Sequence, residues 1–435
     1  MLNLTTNPTR ALQAFQVIRF TAMLTTGIGM AQLGYAKTEI GSFEAVLFLS
    51  GLLTTFWITG LIQALLPLYS YQDNKANADN RLFNVFLVVF GLAIVSIVVA
   101  YAFGFALVRF AAIGSMHIYH LMLVYILFST PAVMVEYIYL LHGKYKTMLT
   151  YGSVTYLIQI ILVLLPVVLG LDVVYAVLGL ISVSVIRFIW LILLIASKSS
   201  ISINIPFLKD FLRDGIPLSL KFFVSSSGLY IDQLIIGYFY DSSTFAVYRF
   251  GAREIPLVTI LAMGLSNSLL VDFGNQQKLN QTLEKLKNES LKLMHTLFPV
   301  AIASILLATW LFPFIFGADF QDSANVFMIY CLIVISRVLF PQTVTQGLRQ
   351  NMAVLIISLI EMTLNICLSL LLVKPYGIYG VAAATVIVYT IEKFLLVSYN
   401  TYWLNIPAKS YLPVKPFLAY SAGMLLAFAF AWNLF

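Results

Sequence analysis

Apolar residues run along this chain in long stretches separated by short polar gaps, and the pattern repeats from one end to the other. A hydrocarbon core about 30 Å thick is crossed by roughly 20 residues of α-helix. Sweeping that length along the chain predicts thirteen spans, near residues 11–34, 40–70, 82–108, 117–141, 147–170, 173–197, 214–240, 243–273, 292–316, 324–347, 352–373, 377–402 and 412–434. The stretches at 40–70 and 243–273 are longer than a crossing needs, so tilt or a kink is expected there. The predicted fold class is all-α, a polytopic transmembrane helix bundle of about 12–13 spans.

Composition agrees. Of the 435 residues, 61% are hydrophobic and 10% charged, and the mean hydropathy is +0.94, outside the range of water-soluble domains. The net charge of +7 does not point to nucleic acid, because the basic residues are scattered through the gaps instead of clustering on one solvated face with aromatics. They do report topology. Alternate gaps and span ends hold Arg10, Lys75, Arg81, Lys144, Lys146, Lys198, Lys209, Arg213, Lys221, Lys278, Lys285, Lys287, Lys292, Arg349, Lys409 and Lys415, against only Lys37, Arg109 and Lys374 in the other set. Basic loops stay in the cytoplasm, so the N-terminus is expected inside a bacterial-type inner (plasma) membrane. The first apolar stretch carries Gln13, Gln16 and Arg19 and has no small-residue cleavage site after it, so it is expected to remain as a helix.

The longest gaps, Lys198 to Arg213 and Gly274 to Leu291, are too short for a globular domain. The expected organisation is an N-terminal six-helix lobe at 1–197, a cytoplasmic linker at 198–213, a C-terminal six-helix lobe at 214–402, and a segment at 403–435 with an extra helix. A weak internal repeat fits two lobes of like orientation: the stretch from Thr38 to Glu44 resembles Ser243 to Arg249, 205 residues later.

Chemistry in such a chain is read from charges inside the spans, each of which must pair, snorkel or face water. Leaving aside Asp214 and Asp272 at span ends and the lysines already counted with the gaps, six are basic (Arg19, Arg187, Arg249, Arg253, Arg337, Lys393) and six acidic (Glu44, Glu136, Asp232, Glu254, Glu361, Glu392). Twelve such groups suggest a polar cavity between two bundles. Arg249 and Arg253 would stand one helical turn apart on one face, where two guanidinium groups can grip a pyrophosphate through parallel hydrogen bonds. The alternative is that Asp232 or Glu44 neutralises them and joins helices. Arg19 has the same two readings. Asp232 could take up a proton or Na+ during transport, or pair with Arg249 or Arg253, and Glu44 and Glu254 are further candidates for ion binding or salt bridges. Arg337, Glu392 and Lys393 read as structural. His117 and His120, three apart, lack a third ligand and read as interfacial; Cys331 and Cys367 lie in separate spans without ligand spacing. No metal or other cofactor is expected, and no Walker A sequence, GxSxG, HExxH or glycine-rich phosphate loop is found.

The seventh and eighth spans carry a recognisable pattern: Gly215-Ile216-Pro217, then Ile231-Asp232-Gln233-Leu234-Ile235-Ile236-Gly237, then Phe245-Ala246-Val247-Tyr248. It resembles the polysaccharide-biosynthesis flippases of the multidrug/oligosaccharidyl-lipid/polysaccharide exporter (MOP) superfamily, whose second bundle opens with a GxP start, an IDxxxIG stretch and a GxY hairpin. Ala246 replaces the hairpin glycine, while Gly41 keeps it in the first half. The resemblance implies two six-helix lobes around a central cationic cavity that takes a polyprenyl-pyrophosphate-linked oligosaccharide from the cytoplasmic to the outer leaflet, without covalent chemistry. Implied partners are that lipid-linked substrate, membrane lipids and polysaccharide assembly proteins. Two other readings are an ion-coupled multidrug antiporter, against which the in-span arginines argue, and a membrane-embedded polysaccharide polymerase or acyltransferase, for which neither a large outward loop nor a concentrated interfacial cluster is present.

Overall fold

The computed structural model of the chain describes residues 8–70, 80–110, 112–270, 273 and 279–433, and the regular elements among them are all helical. Lys75 and Lys278 lie outside the described residues, as do the side chains of Arg109 and Lys221. The helices are α1 (Pro8–Gln32), α2 (Lys37–Ser70), α3 (Arg81–Ala102), α4 (Gly104–Phe110), α5 (Met116–Ala132), α6 (Met134–Leu141), α7 (Tyr145–Val168), α8 (Val173–Lys198) and α9 (Ile205–Phe239). They continue with α10 (Ser242–Gly251), α11 (Pro256–Leu270), α12 (Leu279–Phe316), α13 (Gln321–Cys331), α14 (Ile333–Arg337), α15 (Pro341–Gly347), α16 (Asn351–Tyr402) and α17 (Val414–Asn433). Among the described residues, nine helical segments are long and apolar enough to cross a membrane. Large apolar side chains such as Val98, Leu193, Leu371 and Leu426 point outward, as a lipid solvent permits. The chain is a multi-pass membrane protein.

The expected spans overlie helix for most of their described lengths, but those at 11–34, 214–240 and 243–273 are not among the nine segments, and the departures have local causes. α9 begins at Ile205 and α12 at Leu279, inside what the sequence reading took as connections. Both extensions are amphipathic: Phe207 and Phe211 are buried one turn apart while Lys209, Asp210 and Arg213 are exposed, and Leu283 and Leu286 are buried beside exposed Glu284 and Lys285. A hydropathy window finds apolar runs and passes over a helix with one wet face. The two spans expected at 352–373 and 377–402 are two helices, labelled together as α16 over 52 residues, that meet at a kink at Gly377. At 1.5 Å per residue such a run would be about 78 Å long if straight, more than twice the bilayer core. Gly377 has φ 61° and ψ −143°, a conformation open to glycine and costly for other residues.

The chain divides into two compact units, Met1–Tyr230 with Gly237–Ala246, and Ile231–Ile236 with Val247–Phe435. In the first unit α5 packs against α3 and α8, and α7 against α1 and α8, over a core that includes Phe15, Trp57, Leu61 and Phe211. Small residues let α2 and α9 touch backbone to backbone: a Cβ on Gly60 would lie 2.4 Å from the Ser219 nitrogen, and one on Gly215 would lie 2.7 Å from Leu61. Ser219 returns its hydroxyl to the Gly215 carbonyl at 2.8 Å. Lipid tails are as apolar as leucine, so membrane helices associate through such close packing more than through hydrophobic expulsion. Gly41 has the same cause, since a Cβ there would lie 1.8 Å from the Ser242 carbonyl oxygen.

In the second unit α12 packs against α13 and α17, and α16 against α13, α14 and α15. Tyr420 of α17 stacks on Phe298 of α12 with centroids 5.2 Å apart, and its hydroxyl lies 2.6 Å from His295 Nδ1. Helix starts recur along the chain: α2 and α10 begin 205 residues apart, α5 and α13 also 205, and α7 and α16 206. This is the offset of the sequence repeat.

Candidate functional site

The eighth expected span is broken. α10 ends at Gly251, residues 252–255 are not helical, and α11 starts at Pro256. Pro256 disfavours helical geometry at Ile255 and supplies no N–H of its own, so the chain restarts there. Gly251 allows close approach, since a Cβ would lie 2.5 Å from the Ser323 carbonyl oxygen. Arg249 therefore sits in the last turn of α10 while Arg253 and Glu254 lie in the break, which corrects the expectation of two arginines on one face of a continuous helix. Arg249 donates to the Gln233 side-chain oxygen. Arg253 folds back so that its Nε donates to the Arg249 carbonyl at 3.3 Å, with its guanidinium 5.0 Å from the Phe250 ring centre. Arg253 thus lies in the unwound stretch and Arg249 at its edge, each guanidinium with its own neighbour, Gln233 for Arg249 and Phe250 for Arg253.

Glu254 turns to Arg337 of α14. The two form a forked pair, Nη2 to Oε1 at 2.6 Å and Nε to Oε2 at 3.1 Å, and Thr259 also donates to Oε2 at 3.2 Å. The Arg337 guanidinium lies over the Tyr389 ring at 4.9 Å. This arrangement is a staple with planar geometry satisfied on both sides.

Asp232 of α9 is buried, 2% exposed, and its Oδ2 accepts three hydroxyls: Thr385 of α16 at 2.5 Å, Tyr330 of α13 at 2.6 Å and Tyr248 of α10 at 3.2 Å. Asn365 of α16 donates to the Thr385 hydroxyl at 3.1 Å. The ion pair between Asp232 and Arg249 or Arg253 that the sequence allowed is not formed; hydroxyls take that place. Asp232 Oδ1 has no hydrogen-bond partner. An acceptor-only oxygen in a buried site calls for a proton, a cation or water.

In the first unit Arg19 of α1 stands 3.6 Å from Glu136 of α6 and donates to Gln16. Arg187 of α8 lies over the Tyr156 ring at 4.2 Å. Glu44 is buried in the second turn of α2, 4% exposed. His117 and His120 are exposed at the start of α5, and Cys331 and Cys367 are free thiols, the first buried and the second exposed. Sequence reading missed Tyr248, Tyr330, Asn365 and Thr385 because neutral polar residues are common in membrane helices and their spacing shows no convergence. Tyr248 stood in the hairpin pattern without an assigned role, and for the other three the signal was a buried carboxylate on a neighbouring helix that needed donors.

Over residues 36–325 the sequence matches the family described as "Polysaccharide biosynthesis protein". None of the curated proteins matches it by sequence. Among solved structures the fold is similar to that of the lipid II flippase MurJ in an inward closed conformation, with TM-score 0.70 and 19% identity over 97% of this chain and 93% of that one. It is similar too to a multidrug resistance MATE family transporter of the MOP superfamily in an inward-facing conformation, with TM-score 0.61 and 15% identity over 88% and 94% of the two chains. A MOP superfamily transporter from Pyrococcus furiosus matches with TM-score 0.55 and 15% identity over 92% and 97%.

Proposed function

Because this chain belongs to the polysaccharide biosynthesis protein family, we propose that it is a flippase moving a polyprenyl-pyrophosphate-linked oligosaccharide from the cytoplasmic to the outer leaflet of a bacterial-type inner membrane. The fold shared with a lipid II flippase and MATE transporters supports a transporter that exposes its site to one side of the membrane at a time, with an N-terminal lobe (1–197) and a C-terminal lobe (214–402) as its working parts.

The observation that carries the reading is the break at 252–255 with Arg249 and Arg253 beside it. Unwound segments inside spans are where transporters of other folds hold substrate, because the freed backbone and half-helix ends are polar. Guanidinium groups keep their charge at every working pH and match two phosphate oxygens each. Arg19, beside Glu136, is a separate substrate-binding candidate within the first unit. Asp232, with its bare Oδ1, would take the coupling ion, a proton or Na+, while Glu254, held by Arg337, fixes the break. Glu44, buried in the first unit, is an ion-binding or salt-bridge candidate of that unit. Assembly enzymes that consume the outer-leaflet product would be the protein's partners.

Native mass spectrometry of the purified protein with added polyprenyl pyrophosphate tests the site. Arg249→Gln and Arg253→Gln are each expected to weaken binding about tenfold, corresponding to a lost charge-assisted contact of roughly 1.4 kcal/mol, and the exposed Arg213→Gln to leave it unchanged. Equal lipid binding by all three, or preferential retention of a cationic drug, would favour the multidrug antiporter instead.

A further inference from the structure

Along the first half of α16, Glu361, Asn365 and Ser369 stand four residues apart on one stripe, spaced about 6 Å along the axis. Each carries a buried polar oxygen without a hydrogen-bond partner: Glu361 Oε1, Asn365 Oδ1 and Ser369 Oγ. Asp232 Oδ1 is a fourth, tied to the same stripe through Thr385, which joins Asn365 to Asp232. Folded proteins leave few such atoms, so three along one helix stripe and a fourth linked to it through Thr385 call for an explanation. Three of them, on Asp232, Asn365 and Glu361, can only accept when the acids are ionised, which selects a cation or water and excludes an anion.

Burial falls along the stripe. Asn365 and Ser369 are fully buried and Asp232 nearly so, whereas Glu361, nearer the Asn351 end, is half-buried. The charges acting on Glu361 come from Glu392 and Lys393 of the second half of α16, Arg337 of α14 and Asp232 of α9. Lys393 is already engaged by Glu392 at 2.8 Å and Arg337 by Glu254 at 2.6 Å. Both cations near Glu361 thus have another carboxylate, which leaves Glu361 able to exchange its own partner.

Resting on the reading of Asp232 as the ion site, we infer that Glu361 is a second cation site, a way-station through which a proton or Na+ passes between the Asn351 end of α16 and Asp232. For a proton, the Glu361 carboxylic acid gives H+ to the Asp232 carboxylate by way of a bridging water, becomes ionised, and is reprotonated from solvent. For Na+, the ion moves between the two carboxylates with Asn365 Oδ1, next to Glu361 on the stripe, as the intermediate ligand, and no bond chemistry is involved. Glu361 sets the rate of exchange, and Asp232 sets the affinity.

The test uses the purified full-length chain in detergent, with radioactive Na+ binding and washout in one arm and stopped-flow proton uptake with a pH indicator dye in the other. Asp232→Asn is expected to abolish stoichiometric binding. Glu361→Gln is expected to keep affinity within about twofold while slowing exchange about tenfold, and Glu361→Asp to restore speed, which a merely structural role would not do. The arm that responds identifies the ion. Wild-type exchange in Glu361→Gln, or loss of affinity in that variant while it melts like wild type, overturns the way-station and leaves Asp232 in place. Binding undiminished in Asp232→Asn, or no binding by the wild type in either arm, overturns the Asp232 reading and this inference with it.

Discussion

Tyr330 donates its hydroxyl to Asp232 Oδ2 at 2.6 Å, and the same hydroxyl lies 3.1 Å from that of Tyr248. Two phenols and a threonine thus surround one oxygen of a buried carboxylate and leave the other bare. A hydrogen bond to a charged group contributes about 1.5–3 kcal/mol. Tyr330→Phe is therefore expected to lower stability by an amount in that range, read from the thermal midpoint of the detergent-solubilised protein. Asp232→Asn keeps the shape without the charge and is expected to cost less stability than Asp232→Ala, measured the same way.

The forked pair of Arg337 and Glu254 gives a second expectation. Removing either partner leaves a charge uncompensated where both side chains are largely buried, at 30% and 18% exposure. Glu254→Gln and Arg337→Gln should each destabilise, and the double variant should be less impaired than the sum, with a coupling of about 1–3 kcal/mol. Additive effects in an unfolding double-mutant cycle would remove the pair as the staple of the break.

Close packing at glycine is a third. Gly60→Ala places a methyl 2.4 Å from backbone of α9, and overpacking of this kind costs about 1–3 kcal/mol. Gly91→Ala, where a Cβ meets open space, is the control expected to leave the melting temperature unchanged.

The helices were legible because the bilayer demands runs of about 20 apolar residues, and a window of that length finds them whatever they pack against. Their ends were not: Phe207 and Phe211, or Leu283 and Leu286, extend helices past the apolar run with one buried face. The break at 252–255 was hidden because Pro256 was one of several span prolines, and membrane helices tolerate most of them. The candidate site was legible only as a list of costly residues. Charge alone suggested that Asp232 pairs with Arg249, whereas the structure satisfies it with Tyr248, Tyr330 and Thr385; hydroxyls scattered over 138 residues of sequence give no periodic signal.

Sidedness rests on the distribution of Lys and Arg and is read by labelling. With Cys331 and Cys367 replaced, single cysteines at Lys37 and Lys374 are expected to react with an impermeant thiol reagent in intact cells, and those at Lys146, Lys285 and Lys409 to react only after permeabilisation. Labelling of position 285 from outside would contradict a cytoplasmic N-terminus.

The central claim, that Arg249 and Arg253 grip a pyrophosphate headgroup during its passage across the membrane, is tested most directly by flipping in proteoliposomes. Purified protein is reconstituted with a labelled polyprenyl-pyrophosphate-linked oligosaccharide, and the fraction reaching the opposite leaflet is read with a membrane-impermeant glycosidase. The account predicts time-dependent protection or exposure with wild type, and a rate about tenfold lower with Arg249→Lys or Arg253→Lys, which keep the charge and lose the planar two-bond grip, at unchanged melting temperature. Wild-type flipping by both lysine variants would contradict the account.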